Sequence, residues 1–106
     1  IAGTKGLGVA PAYSATKRFQ NTYIDALEQL SHLQKLHIRF TDIRPGFVDT
    51  AMAKGEGLFW VTPVDKAVKQ IKKAISKKKK VAFISKRWRY VTILFRLLPS
   101  AIYCRM

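Results

Sequence analysis

Hydrophobic residues along this chain switch repeatedly between a helical and a strand-like period, and that alternation limits the fold more than any other feature. From Tyr13 to about Leu33, the apolar residues Phe19, Tyr23, Ala26, Leu27, Leu30 and Leu33 recur at steps of three and four. That spacing predicts an amphipathic helix with one buried stripe. Gly3, Gly6, Gly8 and Pro11 make the opening a loop that leads into a helix start between Pro11 and Tyr13. The period shifts after His37: IRFTDI alternates and is rich in β-branched and aromatic residues, so it reads as a strand that ends at Pro45-Gly46. Residues 46–62, GFVDTAMAKGEGLFWVT, combine three glycines with large apolar side chains and no clean period, which suggests a long functional loop with some helix. A second helix is expected from Thr62-Pro63, with Thr62 as its cap, Asp65 in its first turn, and a stripe of Val64, Ala67, Val68, Ile71, Ala74 and Ile75. After the basic turn Lys77–Lys80, VAFIS reads as a short buried strand. Residues from about Lys86 to Arg105 then form a basic amphipathic pattern around Trp88, Val91, Leu94, Phe95 and Leu98.

Loop, helix, strand, loop, helix, strand, helix is the order of an α/β fold whose parallel strands are joined by right-handed crossovers. A parallel sheet is normally covered on both faces and has more than two strands, so part of a larger sheet is expected. At 106 residues the chain forms one domain at most, and its apolar fraction of 48% favours a packed core over disorder. The formal charge of +14 is uneven: residues 1–65 hold seven Lys/Arg against six Asp/Glu, and residues 66–106 hold thirteen against none. Two accounts of that basic part stand side by side, a surface for nucleic acid or anionic membrane and a merely solvated tail. Cys104 is a lone cysteine, so the cytoplasm is the default location. His32 and His37 lack partners at metal-ligand spacing, so no metal is expected. Neither a secretory signal nor a spanning run is read; the apolar stretch VTILFRLLPSAIY is broken by Arg96 and Pro99.

Residues 13–17 read YSATK, which on a helix stacks the Lys17 ammonium on the face that carries the Tyr13 phenol. A fixed positive charge beside a phenol favours its ionised form, the condition for proton transfer near neutral pH. On spacing alone, an aromatic core contact beside a solvated lysine is the default account.

Taken together, IAGTKGLGVAPAYSATK and DIRPGFVDTAM resemble the second half of a classical short-chain dehydrogenase/reductase, an NAD(P)-dependent oxidoreductase family built on a Rossmann sheet. YSATK is similar to the family's YxxxK motif and PGFVDT to its PGxVxT segment, at the family's usual separation. The resemblance implies the C-terminal part of a Rossmann-type doubly wound parallel sheet over residues 1–85, followed by a basic amphipathic C-terminal helix over residues 86–106. It implies that Tyr13 is the general acid/base of a carbonyl–alcohol interconversion. Lys17 would steady the tyrosinate and reach the nicotinamide ribose of NAD or NADP. Pro45 and Gly46 would end a strand at the cofactor-binding edge of the sheet, and Val48, through its backbone, and Thr50, through its hydroxyl, would hold the nicotinamide carboxamide. Without the resemblance, Thr50 reads as an ordinary loop threonine.

The family's catalytic serine falls just ahead of Ile1, and its glycine-rich phosphate loop belongs to the other half of the fold; Gly3, Gly6 and Gly8 have the wrong surroundings for it. The resemblance therefore implies a C-terminal fragment, inactive alone, that forms homo-oligomers through the helix bearing Phe19, Tyr23, Leu27 and Leu30. Phe47, Met52, Leu58, Phe59 and Trp60 would line a pocket for a hydrophobic small-molecule substrate, or serve packing only. The tail KRWRYVTILFRLLPSAIYCR admits two uses, docking on a membrane surface and packing over the cleft or a subunit contact. The competing function is a basic nucleic-acid or anionic-membrane binding module without catalysis; nucleic acid is the weaker version because no binding motif supports it.

Overall fold

Pro11 opens the first helix, as its fixed φ and missing N–H suit a first helical position. Helix α1 runs Pro11–Leu33. The computed structural model describes residues 2–51, 58 and 60–105. Strand β1 (Asp42–Pro45) follows, then helix α2 (Val64–Ser76), strand β2 (Val81–Ile84), helix α3 (Arg87–Leu97) and a last turn of helix α4 (Ser100–Tyr103). The two strands pair in parallel, with Asp42 opposite Val81 and Pro45 opposite Ile84. A helix-bearing connection between parallel neighbours is a βαβ arrangement, so the described residues form a mixed helix–strand fold with a small two-stranded parallel sheet, compatible with the α/β class.

The core is small and sits where α2 and α3 meet the sheet. Ala67 and Ala74, one above the other on α2, are buried with Ala82 and Ile84 of β2 and Trp88 of α3. Alternation in β2 follows the pleat, Ala82 and Ile84 being buried while Val81 and Phe83 are half-buried. In β1, Asp42 is buried and its carboxylate takes both Nε and Nη2 of Arg44, at 2.8 and 2.7 Å. Charge-assisted pairing of this kind is what allows a carboxylate to sit inside a fold.

Several expectations are corrected. The strand begins at Asp42 rather than at Ile38, since residues 37–41 have no partner in the described sheet and β2 offers only four residues to pair with. Thr62 does not cap α2: Pro63 holds the N-cap position, and Thr62 instead forms a parallel bridge with Val48. On α1, the stripe expected to be buried faces outward. Phe19 is 68% and Leu33 74% exposed, Tyr23 and Leu30 are also exposed, and the buried residues are Ser14 and Ser31. The sheet takes its cover from α2 and α3, which leaves that face of α1 largely bare, with Leu27 half-buried. Val64, Val68 and Ile75 of α2 are likewise exposed, which leaves Ala67 and Ala74, with half-buried Ile71, on the packed side. The C-terminal helix is not continuous either; it ends at Leu97 and restarts after Pro99, which has no N–H to donate.

Both long helices that precede a strand end in the same way. Lys35 N donates to the His32 carbonyl and Leu36 N to the Ser31 carbonyl, while Lys78 N donates to Ile75 and Lys79 N to Ala74. These are Schellman closures, and each puts a lysine in the left-handed region, with φ of 55° at Lys35 and 53° at Lys78. A side chain there costs about 1–2 kcal/mol, and glycine's larger entropy loss offsets roughly 0.5–1 of what its substitution would recover. Lys35→Gly and Lys78→Gly are therefore each expected to stabilise the fold, by about 0.5–1 kcal/mol. Denaturant midpoints at constant slope check this, and a lowered midpoint contradicts the assignment.

Candidate active site

Two groups of residues make up the candidate site. The first lies at the start of α1. Tyr13 and Lys17 are one turn apart, and the Lys17 ammonium sits 5.5 Å from the centroid of the Tyr13 ring. The phenol is 56% exposed, the lysine is half-buried, and Nζ also donates to Gln20 Oε1 at 3.4 Å. Tyr13 occupies the first turn, where unpaired N–H groups and the helix dipole favour negative charge nearby. That turn contains no acidic residue.

The helix start is held by the loop before it. Buried Ser14 accepts a hydrogen bond from Leu7 N at 2.9 Å. Gly3 O accepts from Arg18 and from Asn21, each at 3.4 Å. Between loop and helix lies a cleft of about 630 Å³, lined by Gly3, Lys5, Leu7, Ser14, Ala15 and Arg18 among others. Tyr13 and Lys17 do not line it; Tyr13 opens to solvent and Lys17 stays half-buried.

The second group lies at the carboxyl end of β1. Gly46 N donates to Ile84 O and continues the ladder one step past Pro45. Phe47 O then accepts from Thr62 N and Asp49 N donates to Thr62 O, both at 2.9 Å. In a parallel bridge the flanking residues use their groups in this way, so the N–H and C=O of Val48 point to the other side and bond to no described residue. Thr50 follows in an exposed bend. No hydrogen bond or ion pair joins Tyr13 or Lys17 to this segment among the described residues; the structure assembles each group separately.

Sequence reasoning missed the side chain that fixes the second group. Trp88 of α3, 4% exposed, stands edge-on to Phe47 at 5.3 Å and to Trp60 at 6.0 Å. Arg87 lies over Trp60 at 5.8 Å. Of the residues expected to line a substrate pocket, Phe47 and Trp60 thus pack on Trp88. Leu58 is half-buried, and Met52 and Phe59 lie outside the described residues. A Cβ on Gly46 would overlap the indole at Nε1 and Cδ1, so the glycine after Pro45 is required by a close approach.

A second cleft, of about 860 Å³, was equally invisible in the sequence. It opens at the other end of the sheet, where the turns after α1 and α2 bring His32, Lys35, His37, Arg39, Lys78 and Lys80 together. Among the described residues Glu28 is its one acidic residue; its carboxylate pairs with Lys80 at 2.6 Å and holds that ammonium above the usual lysine range. Ligands of open α/β sheets bind at the carboxyl ends of strands, which is the opposite end.

Gly46→Ala is expected to destabilise the fold by about 1–3 kcal/mol through overpacking against Trp88. Equilibrium unfolding measures the effect, and a neutral result shows that the indole is not held there. No protein-family model matches the sequence, and a search of curated proteins finds no match.

Proposed function

We propose that this chain is the C-terminal half of a Rossmann-type short-chain dehydrogenase/reductase, an NAD- or NADP-dependent enzyme of the cytoplasm that interconverts a carbonyl and an alcohol. The observation that carries the reading is the Lys17 ammonium over the Tyr13 ring, on an exposed face of the helix that opens beside the loop of Gly3, Gly6 and Gly8. In the reductive direction Tyr13 gives its phenolic proton to the carbonyl oxygen of the substrate, and in the oxidative direction the tyrosinate takes the proton of the alcohol. Lys17 stabilises the negative charge on the Tyr13 oxygen and offers its remaining donors to a ribose hydroxyl.

The residues at the end of β1 suit a nicotinamide. Val48 presents one backbone donor and one acceptor that no described residue uses, the complement of a carboxamide, and Thr50, two residues on, is exposed. The cofactor, when bound, supplies or accepts the hydride. Gly46 holds that stretch of backbone in place through its N–H to the Ile84 carbonyl and its close approach to the Trp88 indole, one step past the pairing of Pro45 with Ile84. The exposed stripe of α1, with Phe19 stacked on Tyr23 at 5.8 Å, is suited to contact with a second subunit. Phe47, Leu58 and Trp60 make the loop apolar, which fits a hydrophobic substrate.

A second reading, an anion-binding module without catalysis, rests on the basic cleft at the far end of the sheet. The two separate in the full-length protein. Tyr13→Phe is expected to lower carbonyl reduction by roughly 10²–10⁴-fold while leaving NAD(P)H fluorescence quenching intact. Lys17→Met is expected to weaken both. Unchanged turnover in Tyr13→Phe, together with steeply salt-dependent binding of a polyanion, would favour the module instead.

A further inference from the structure

Helix α3 has two apolar faces. Trp88, Val91, Thr92 and Phe95 form the face laid on the sheet: Trp88 and Thr92 are buried, the other two half-buried, and the Thr92 hydroxyl is turned back onto the Trp88 carbonyl at 2.8 Å. Tyr90, Ile93, Leu94 and Leu97 form the other, and all four are exposed, Tyr90 and Leu97 to 75% each. At about 100° per residue the two stripes lie roughly 160° apart, so the second points directly away from the core.

Its borders are cationic on both sides. Arg87 flanks it along one edge, Arg89 and Arg96 along the other, and no acidic residue occurs anywhere from residue 66 to residue 106. Helix α4 adds exposed Ile102 and Arg105 follows it. An ordinary surface helix turns its polar side to water; this one offers water a leucine–isoleucine strip between arginines. Neither water nor a polyanion such as nucleic acid has a use for such a strip. A bilayer with anionic headgroups has both complements, acyl chains for the strip and phosphates for the guanidinium groups beside it. Tyr90 opens the strip at the N-terminal end of the helix, joining an apolar ring to a hydroxyl that can meet the headgroups. No described helix is long and apolar enough to cross a membrane, so the contact lies in the interface plane.

We propose that α3 is a membrane-surface helix, docking the protein on an anionic bilayer through Tyr90, Ile93, Leu94 and Leu97 with Arg87, Arg89 and Arg96 at the headgroups. This does not depend on the catalytic reading.

The test is flotation of the full-length protein with vesicles of phosphatidylcholine and phosphatidylglycerol in equal parts at low salt. Wild type floats with these and stays behind with phosphatidylcholine alone. Leu94→Ser/Leu97→Ser lowers partitioning at least about tenfold. Arg89→Gln/Arg96→Gln lowers it about tenfold or more and removes the salt dependence in proportion. Both pairs are exposed, so unchanged far-UV circular dichroism accompanies each loss. Failure of wild type to float overturns the proposal, as does a leucine double variant that floats as well as wild type. A Leu94→Cys variant in a Cys104→Ser background supplies an independent check: its thiol is labelled freely without vesicles and protected with them. Protection without vesicles means that protein covers the strip, and the proposal falls. Binding of a DNA oligonucleotide that survives the leucine changes and is competed by the vesicles assigns the arginines to a different polyanion and overturns it too.

Discussion

The indole of Trp88 is the object around which the rest of the molecule is arranged. It fills the space a side chain at residue 46 would need, so strand β1 comes close to α3 only because that residue is glycine. Phe47 and Trp60 close on it from the loop, and Ile84 lies beside it in the small core. Large aromatic rings contribute much of the burial available to a chain of this size, and edge-to-face geometry adds about 0.5–1.5 kcal/mol per pair. One side chain thereby binds the end of β1, the following loop and α3 into a single unit. The backbone of Val48, which carries the proposed carboxamide contact, is held within that unit by its bridge to Thr62.

The proposed catalytic pair rests on a different kind of support. Tyr13 and Lys17 belong to a long helix whose apolar side is largely bare, and polar bonds from Gly3 and Leu7 fix the place where it starts. Position at the N-terminal turn, a neighbouring ammonium and access to solvent are three separate conditions for proton transfer by a phenol, and Tyr13 meets each of them. The exposed stripe of α1 and the exposed stripe of α3 differ in their margins. The first lies on the near-neutral part of the chain and the second is edged by arginines, so one suits protein and the other lipid.

How much the sequence disclosed follows from how local each feature is. Helix α1 ends where its period ends, at Leu33, and α2 stops at Ser76 before the lysine run, because helical patterning and turn chemistry act over a few residues. The parallel partnership of β1 with β2 was legible from the alternation of elements. Strand length was not: IRFTDI has the composition of a full strand, yet ladder bonds require a neighbour, and β2 supplies four residues. Thr62 carried a good capping signal and was drawn into a bridge by Val48, 14 positions earlier in the chain. The YSATK spacing gave the contact between Tyr13 and Lys17 because it is one helical turn. The role of Trp88 was invisible, since nothing near residue 88 announces a contact with residue 46. Gathering of the cations in the basic cleft was hidden for the same reason, as it depends on two turns from different helices arriving side by side.

The two ends of the described chain are tied together. Lys5 Nζ donates to the Leu98 carbonyl at 2.5 Å and lies 4.7 Å over the Tyr103 ring, and the Tyr103 hydroxyl donates to the Gly6 carbonyl at 2.5 Å. Leu98 and Tyr103 stand on either side of the Pro99 break, so the loop that launches α1 is moored to the terminus of the arginine-edged helix. Displacing the segment beyond Pro99 would therefore strip the loop before α1 of its bonds at Lys5 and Gly6, so the start of that helix and the last turn of the chain share the same fastenings.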